Sequence, residues 1–330
     1  MKPILSIEIA GTGTYLPAEV IRNEHFIHYL DTTDEWIVTR TGIRERRRAA
    51  TNETTSTMAV EAAKAALLDA KLSVKDLELI VCATATGDCP FPATATFIQA
   101  GLSAGLVPAF DVGAACAGFL YATTVAASML QSGLYGTVLV VGAETLTRFI
   151  DREDRRMVIL FGDAAGAAIL TRARNPDRGI LYSESGCDGT RTDLIVLPAG
   201  GSRLVASEAT VAERLHYMRM KGREVFKYAV LKMEELIDRA LASVGISPGD
   251  LKMVIPHQSN LRIIESVRER LRLPREKVAV NIDRCGNTSA ASIPMALDEH
   301  RRNGTLRCGD LVLMIAIGAG LSWNVMVVRL

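Results

Sequence analysis

The stretch LSVKDLELIV at residues 72–81 returns as ISPGDLKMVI at 246–255, each time after an apolar, alanine-containing run of helical character. At the same offset of 174 residues, GAACAGFLYA (113–122) falls on NTSAASIPMA (287–296), and VLVVG (138–142) falls on VLMIA (312–316). Three blocks in one register mark a duplication, so the chain must fold as two units with the same order of elements. Strands rich in Val, Ile and Leu alternate with helices such as 57–70 and 224–244, the pattern of mixed α/β layers. The halves are expected to be 1–172 and 173–330, packed as pseudo-equivalent domains, and 330 residues suffice for both cores.

Duplication explains why both halves enter a helix on small residues, but it does not explain sulfur. Cys116 aligns with Ala290. One explanation of Cys116 is packing, because free cysteine behaves as a small hydrophobe. The other is a nucleophile at a helix N-terminus, where unpaired N–H groups and the helix dipole favour thiolate. The asymmetry of the repeat shifts the balance to the nucleophile.

The second half supplies partners. His257 follows a strand-like run ending in Pro256, at the carboxyl end of a strand, where ligands meet α/β sheets. His25, His28, His216 and His300 lie in polar or helical contexts and read as surface or core groups. Asn287 follows Gly286 just before the helix that mirrors the Cys116 helix; a turn or N-cap would also use asparagine there. Gly318 and Gly320, in IAIGAGLSW, mark a tight turn or a close backbone approach. Together these suit acyl transfer. A thiolate takes an acyl group from a thioester while backbone N–H groups hold the oxyanion. Neutral His and Asn then donate to a second oxyanion, such as the enolate left when a β-carboxylated thioester loses carbon dioxide, and no metal is required.

Composition narrows the alternatives. With 48% hydrophobic and 23% charged residues the chain reads as globular, and a net charge of +1 offers no field for collecting nucleic acid. The start, MKPILSIEIAGTG, carries Lys2, but its apolar run is broken by Glu8 and is too short for a signal-peptide core. No stretch is long enough to span a membrane, so a cytoplasmic, membrane-free location is expected. The six cysteines show no C-x-x-C pair or Cys/His cluster, which predicts free thiols and no metal site.

From GTGTYLP (11–17) through TTDEWIVTRTGIRER (32–46), AACAGF (114–119), FGDAAGAAIL (161–170), GREVFKYAV (222–230), PHQSNLRII, GNTSAAS and the final GAGLSW, the whole chain resembles the β-ketoacyl-acyl carrier protein synthase III family. The resemblance implies a thiolase fold, layered α-β-α-β-α, and an acyltransferase that condenses an acyl-CoA primer with malonyl-acyl carrier protein to begin fatty-acid synthesis. It implies that Cys116 carries the acyl group, that His257 and Asn287 stabilise the malonyl-derived carbanion, and that the N–H groups of Cys116 and Ala319 form the first oxyanion hole. Members often have glycine at position 319; alanine serves if its φ is negative. Trp36 and Arg155 are similar to the pair that sandwiches the adenine of coenzyme A, with Arg40 near its phosphates, and Asn260 resembles the pantetheine contact. Phe91 resembles a residue inserted beside a partner's acyl pocket in a homodimer, and Arg262 matches a carrier-protein docking residue. Coenzyme A thioester enters as substrate, and no cofactor is expected.

Three departures from the family pattern fall near the expected mouth and pocket: Arg156 with Met157, Ser259, and Cys285. A related condensing or acyl-transfer enzyme of secondary metabolism would use the same three catalytic residues. A silent thiolase-fold subunit would be expected to lack one of them. Elongating synthases would show a second histidine at position 287, and thiolases a second cysteine in the late glycine turn.

Overall fold

The computed structural model describes residues 6–330, so Lys2 lies outside the described residues. Strands β1 (Ile7–Tyr15), β2 (Leu79–Ala83), β3 (Ala109–Val112), β4 (Thr137–Glu144) and β5 (Ala164–Arg172) form one sheet in the order β1-β5-β4-β2-β3. Strands β6 (Gly179–Cys187), β7 (Met253–Pro256), β8 (Leu311–Gly318) and β9 (Ser322–Arg329) form a second, β6-β9-β8-β7. The first four positions agree in order and sense. β4 runs parallel to β2 as β8 does to β7, and the remaining pairs among them are antiparallel. The duplication breaks at β3, which pairs with β2. Its repeat position, 283–286, overlaps the short helix Ile282–Cys285, and the second sheet ends on a bridge between Val254 and Val278.

Helices α1 (Asp34–Thr41), α2 (Thr55–Ala70), α3 (Gly118–Ser132), α4 (Gly222–Val244), α5 (Leu261–Leu271) and α6 (Ser292–Arg302) complete the layers. Alternation along β2 decides which layer each side chain joins. Leu79, Val81 and Ala83 meet Phe119 and Leu120 of α3 in a central cluster that also takes Ile293 and Leu297 of α6 and Val312 and Met314 of β8. Ile80 and Cys82 point the other way, onto Met58 and Leu67 of α2. On the far side, Leu313 and Ile315 of β8 pack with Leu236 and Ile237 of α4 and Ile264 of α5. The sequence α-β-α-β-α of layers is thus the expected thiolase-type stack. Both sheets are covered on two faces, which is why their strands read as continuous apolar runs. Each fully buried Val, Leu or Ile contributes about 1.5–3 kcal/mol, so a central layer drawn from both halves holds them together.

The entries to α3 and α6 are where the repeat matters for chemistry. Single 3-10 turns, Ala115–Ala117 and Ser289–Ala291, precede the two helices. Ala115 (φ 45°) and Ser289 (φ 48°), equivalent in the repeat, both hold the left-handed backbone that non-glycine residues rarely adopt. Strand ends press against these turns. A Cβ on Gly142 would lie 2.3 Å from the Ala290 carbonyl oxygen, and one on Gly318 would lie 2.7 Å from both the Cys116 nitrogen and the Ala114 oxygen. The close approach expected of the late glycines is therefore made by Gly318.

A buried cation braces the cover of the site. Arg46 is 1% exposed and its guanidinium donates to the Ile21 carbonyl (3.1 Å), Asn23 Oδ1 (2.9 Å) and the Ile159 carbonyl (2.6 Å). These bonds tie the hairpin Glu19–Arg22/Glu45–Arg48 to the chain just before Leu160 and Phe161.

Candidate active site

Both sheets end their parallel strands at one cavity of about 240 Å³, lined by Cys116, His257, Asn287, Ser289 and Ala319, with Ser259 and Asn260 at the same opening. Apolar side chains, among them Phe161, Ile195, Met218, Met220, Phe226 and Met233, form much of its wall. A larger groove of about 1130 Å³, lined by arginines such as Arg172, Arg178, Arg301 and Arg302, contains none of the residues singled out from sequence.

Cys116 sits on the 3-10 turn that opens α3. Its position is the expected one, but its acidity is not. Burial pushes the thiol up to about 11, the Ser289 hydroxyl offsets this in part, and the Glu144 carboxylate adds to the rise. At rest the group is a thiol, because burial disfavours the charged form.

His257 leaves β7 with its N–H donating to the Ile315 carbonyl at 2.8 Å. The residue is 2% exposed, Nδ1 lies 2.7 Å from the Ser292 hydroxyl at the start of α6, and Nε2 is buried without a partner. Burial alone drives its pKa down to about 3, so the ring is neutral. Asn287 is held by its backbone, whose N–H donates to the Leu160 carbonyl (2.8 Å) and whose carbonyl accepts from Gly162 (3.0 Å). Its Oδ1 accepts the Ser289 N–H at 2.9 Å, which leaves the amide NH₂ as the donor for a ligand. Ala319 turns the chain between β8 and β9 with a negative φ, as alanine there requires.

Of the remaining expected residues, Asn260 stands at the cavity opening and the others lie outside its wall. Asn260 caps α5 by accepting the Arg262 N–H (2.9 Å) and donates to the Arg40 carbonyl (3.0 Å) on α1. The Arg40 guanidinium lies 4.4 Å, and that of Arg155 5.2 Å, from the centre of the Trp36 ring. Arg155 also pairs with Asp31 at 3.0 Å. Arg262 is exposed, lies 5.2 Å over the Phe226 ring, and enters no ion pair among the described residues, whereas Arg268 and Arg270 on the same helix are paired with Glu265 and Asp238. Phe91 is 85% exposed and reaches no part of this cavity.

The departures separate on the same geometry. Cys285 does not line the cavity; it packs with Ala164, Ala291 and Met295. Arg156 is exposed and pairs with Asp154 at 3.3 Å. Met157 lies behind the wall with Leu146, Phe161, Met218 and Met220, and Ser259 is in the wall itself. Sequence reasoning passed over Glu144, Ser289 and Ser292. The two serines stand inside GNTSAAS, and Glu144 is a carboxylate closing an apolar strand at the repeat position of Gly318.

Among the described residues no group of three or more His, Cys, Asp or Glu is placed to hold a metal ion, and no helix is long and apolar enough to cross a membrane.

Residues 110–189 match the family described as 3-oxoacyl-[acyl-carrier-protein (ACP)] synthase III, and residues 241–330 match its C-terminal region. The chain is 48% identical over 321 residues to the β-ketoacyl-[acyl-carrier-protein] synthase III of Caldanaerobacter subterraneus subsp. tengcongensis, covering 97% of each. It superposes on the crystal structure of 3-oxoacyl-[acyl-carrier-protein] synthase III from Aquifex aeolicus with a TM-score of 0.90 at 46% identity, covering 98% of this chain and 100% of that one. A priming β-ketosynthase from a polyketide biosynthetic pathway gives 0.91 at 35% identity, covering 100% and 98%. The chain therefore belongs to the 3-oxoacyl-[acyl-carrier-protein] synthase III family of condensing acyltransferases.

Proposed function

We propose that this chain condenses an acyl-CoA primer with malonyl-acyl carrier protein, with loss of carbon dioxide, to give a 3-oxoacyl-acyl carrier protein that starts fatty-acid synthesis. The observation that carries the proposal is a neutral His257 whose unpartnered Nε2 shares one cavity with Cys116 and Asn287. In the first half-reaction Cys116 takes the acyl group, and the N–H groups of Cys116 and Ala319 hold the tetrahedral oxyanion. In the second, the ring proton is assigned to Nε2, with Nδ1 accepting from the Ser292 hydroxyl 2.7 Å away, and the Nε2–H and the Asn287 amide donate hydrogen bonds to the enolate oxygen. The enolate carbon then attacks the acyl-cysteine.

The line from Asn260 through Arg40 to Trp36 and Arg155 is assigned to coenzyme A: Asn260 to pantetheine, Arg40 to phosphate, Trp36 and Arg155 to adenine. Entry of the base must displace a guanidinium from the Trp36 ring. The exposed Phe91 is assigned to a partner copy's acyl pocket in a homodimer, which operates in the cytoplasm and takes its acyl groups from coenzyme A thioester rather than from a bound cofactor. Intact-mass measurement with a panel of acyl-CoAs is expected to show one acyl addition per chain, ranked by primer. No addition from any acyl-CoA would overturn the proposal. The likeness to the polyketide priming enzyme supports a second reading, an unusual primer for secondary metabolism, which the same ranking separates from acetyl or short branched primers.

Carrier-protein docking is assigned to Arg262, an exposed cation at the start of α5 that enters no ion pair among the described residues. Charge-driven encounter with an acidic carrier is screened over about 8 Å at physiological ionic strength, so a reversed charge at the mouth acts on that encounter. Arg262→Glu is expected to weaken use of malonyl-acyl carrier protein about tenfold or more while acylation by acyl-CoA changes little. Equal losses in both half-reactions would remove the docking role.

A further inference from the structure

A second void lies against the catalytic cavity. It is a groove of about 1060 Å³ between the hairpin Glu19–Arg22/Glu45–Arg48 and the chain from Thr147 to Val158. Ile21, Phe26, Ile150 and Val158 give it apolar surface, and Arg46, Arg48, Arg148 and Arg152 outnumber its carboxylates, Glu19 and Glu153. Among the described residues only Phe161 belongs to the walls of both voids. It is 5% exposed and shares one apolar cluster with Leu146, which lines the cavity, and Ile150, which lines the groove. At this point the partition is one residue thick.

The main chain of the partition is pinned. The Asn287 N–H donates to the Leu160 carbonyl at 2.8 Å and the Asn287 carbonyl accepts from the Gly162 N–H at 3.0 Å, so residue 161 is bridged on both sides to a residue of the active site. A Cβ on Gly162 would lie 2.3 Å from the Cys285 carbonyl oxygen, and the Arg46 guanidinium holds the Ile159 carbonyl at 2.6 Å. With the backbone fixed, the side chain at 161 decides whether the voids join.

We propose that Phe161 sets the length of acyl chain this protein accepts, by closing the cavity that takes the chain from the groove beyond. The inference deepens the proposed function and rests on Cys116 receiving its acyl group from coenzyme A. During transfer the coenzyme A arm fills the opening at Asn260, so the acyl chain has only the closed part of a cavity of about 240 Å³. Methylenes beyond its capacity meet a packed wall, where extra volume forces side chains off their rotamers. Met218 and Met220 in the same wall can adapt their shape, whereas a phenyl ring on a pinned backbone gives a firm limit.

The two voids also differ in how they treat charge. A carboxylate at the end of the acyl chain is stranded in the apolar cavity, but in the groove it meets water and Arg152, which is exposed and enters no ion pair among the described residues. Passage through the partition is therefore separable from mere widening of the cavity.

The test is the rate of acyl addition, by intact mass, from saturated acyl-CoAs running from acetyl to lauroyl and from an ω-carboxyacyl-CoA of lauroyl length. Wild type is expected to fall about tenfold or more at its length limit and to refuse the carboxylate-ended chain. Phe161→Ala is expected to move the limit outward, raise the lauroyl-to-acetyl ratio about tenfold or more, and accept the carboxylate-ended chain as well. Phe161→Leu is expected to lie between them, and it carries the test if the alanine variant fails to fold. The ratio within one variant cancels a general loss of active protein. A wild type that takes lauroyl as fast as acetyl would overturn the proposal, as would one limit shared by wild type and the folded variants. Longer neutral chains accepted with the carboxylate-ended chain refused would overturn it too, since the cavity would have widened without a passage. Acetyl adducts with an unmoved limit would refute this inference alone, whereas no adduct of any length on any of these proteins would refute the proposed function with it.

Discussion

Cys116→Ala is expected to abolish the acyl-enzyme completely and yet leave slow decarboxylation of malonyl-acyl carrier protein. The substitution removes one sulfur from a 3-oxo-forming site whose other members stand on separate elements: His257 after β7, and Asn287 before the turn to α6. None of the hydrogen bonds that hold His257 and Asn287 in place involves the thiol. The local backbone accepts alanine, because Ala290 already occupies the same place in the repeat, on the same kind of turn. Stability should therefore change by about 1 kcal/mol, the ordinary size of a single-substitution effect. The acyl mass on peptides containing residue 116 and the release of labelled carbon dioxide measure the two activities separately. An acyl adduct at wild-type stoichiometry, placed on any other cysteine, would remove Cys116 from its assigned role.

The duplication was legible because it is written in local patterns that recur at a fixed offset. β4 and β8, Thr137–Glu144 and Leu311–Gly318, end up 174 residues apart and in equivalent places in their sheets. The loss of a fifth strand from the second sheet was not legible. Residues 278–285 carry apolar side chains compatible with either a strand or a buried turn, and packing decides between them. The same division holds in the cavity. Cys116, His257 and Asn287 could be singled out because each stands at a strand or helix end where backbone patterns change. The state of the thiol could not, because it depends on how much protein covers it from distant segments. Glu144 was passed over for a related reason. A carboxylate after VLVVGA reads as a strand end reaching water, and only the arrival of Thr86 and Ser289, far away in the chain, shows that its oxygens are satisfied inside.

His257→Ala is expected to produce the converse of the cysteine variant: a chain that still acquires the acyl group but condenses poorly. The ring cannot assist by carrying charge, since its pKa near 3 keeps it neutral across the working range, and its contribution is a donated hydrogen bond from Nε2. That donor matters when negative charge appears on the enolate oxygen inside a cavity with a largely apolar wall, where water is a poor substitute. Removing one such donor lowers the rate by about 10²–10³, which is about 2.7–4 kcal/mol in the condensation barrier. Acylation should be less affected, because Cys116 and the N–H groups assigned to the first oxyanion stand on other elements than His257. Alanine also frees the Ser292 hydroxyl and opens space at the cavity floor, so loss by general disorder must be separated from loss of the donor. The acylation rate makes that separation: a disordered site loses both half-reactions together. Rapid-quench mass measurement of the acyl-enzyme, set beside product formation from pre-acylated protein, gives the two rates. Condensation at the wild-type rate would end the assignment of His257 to the enolate.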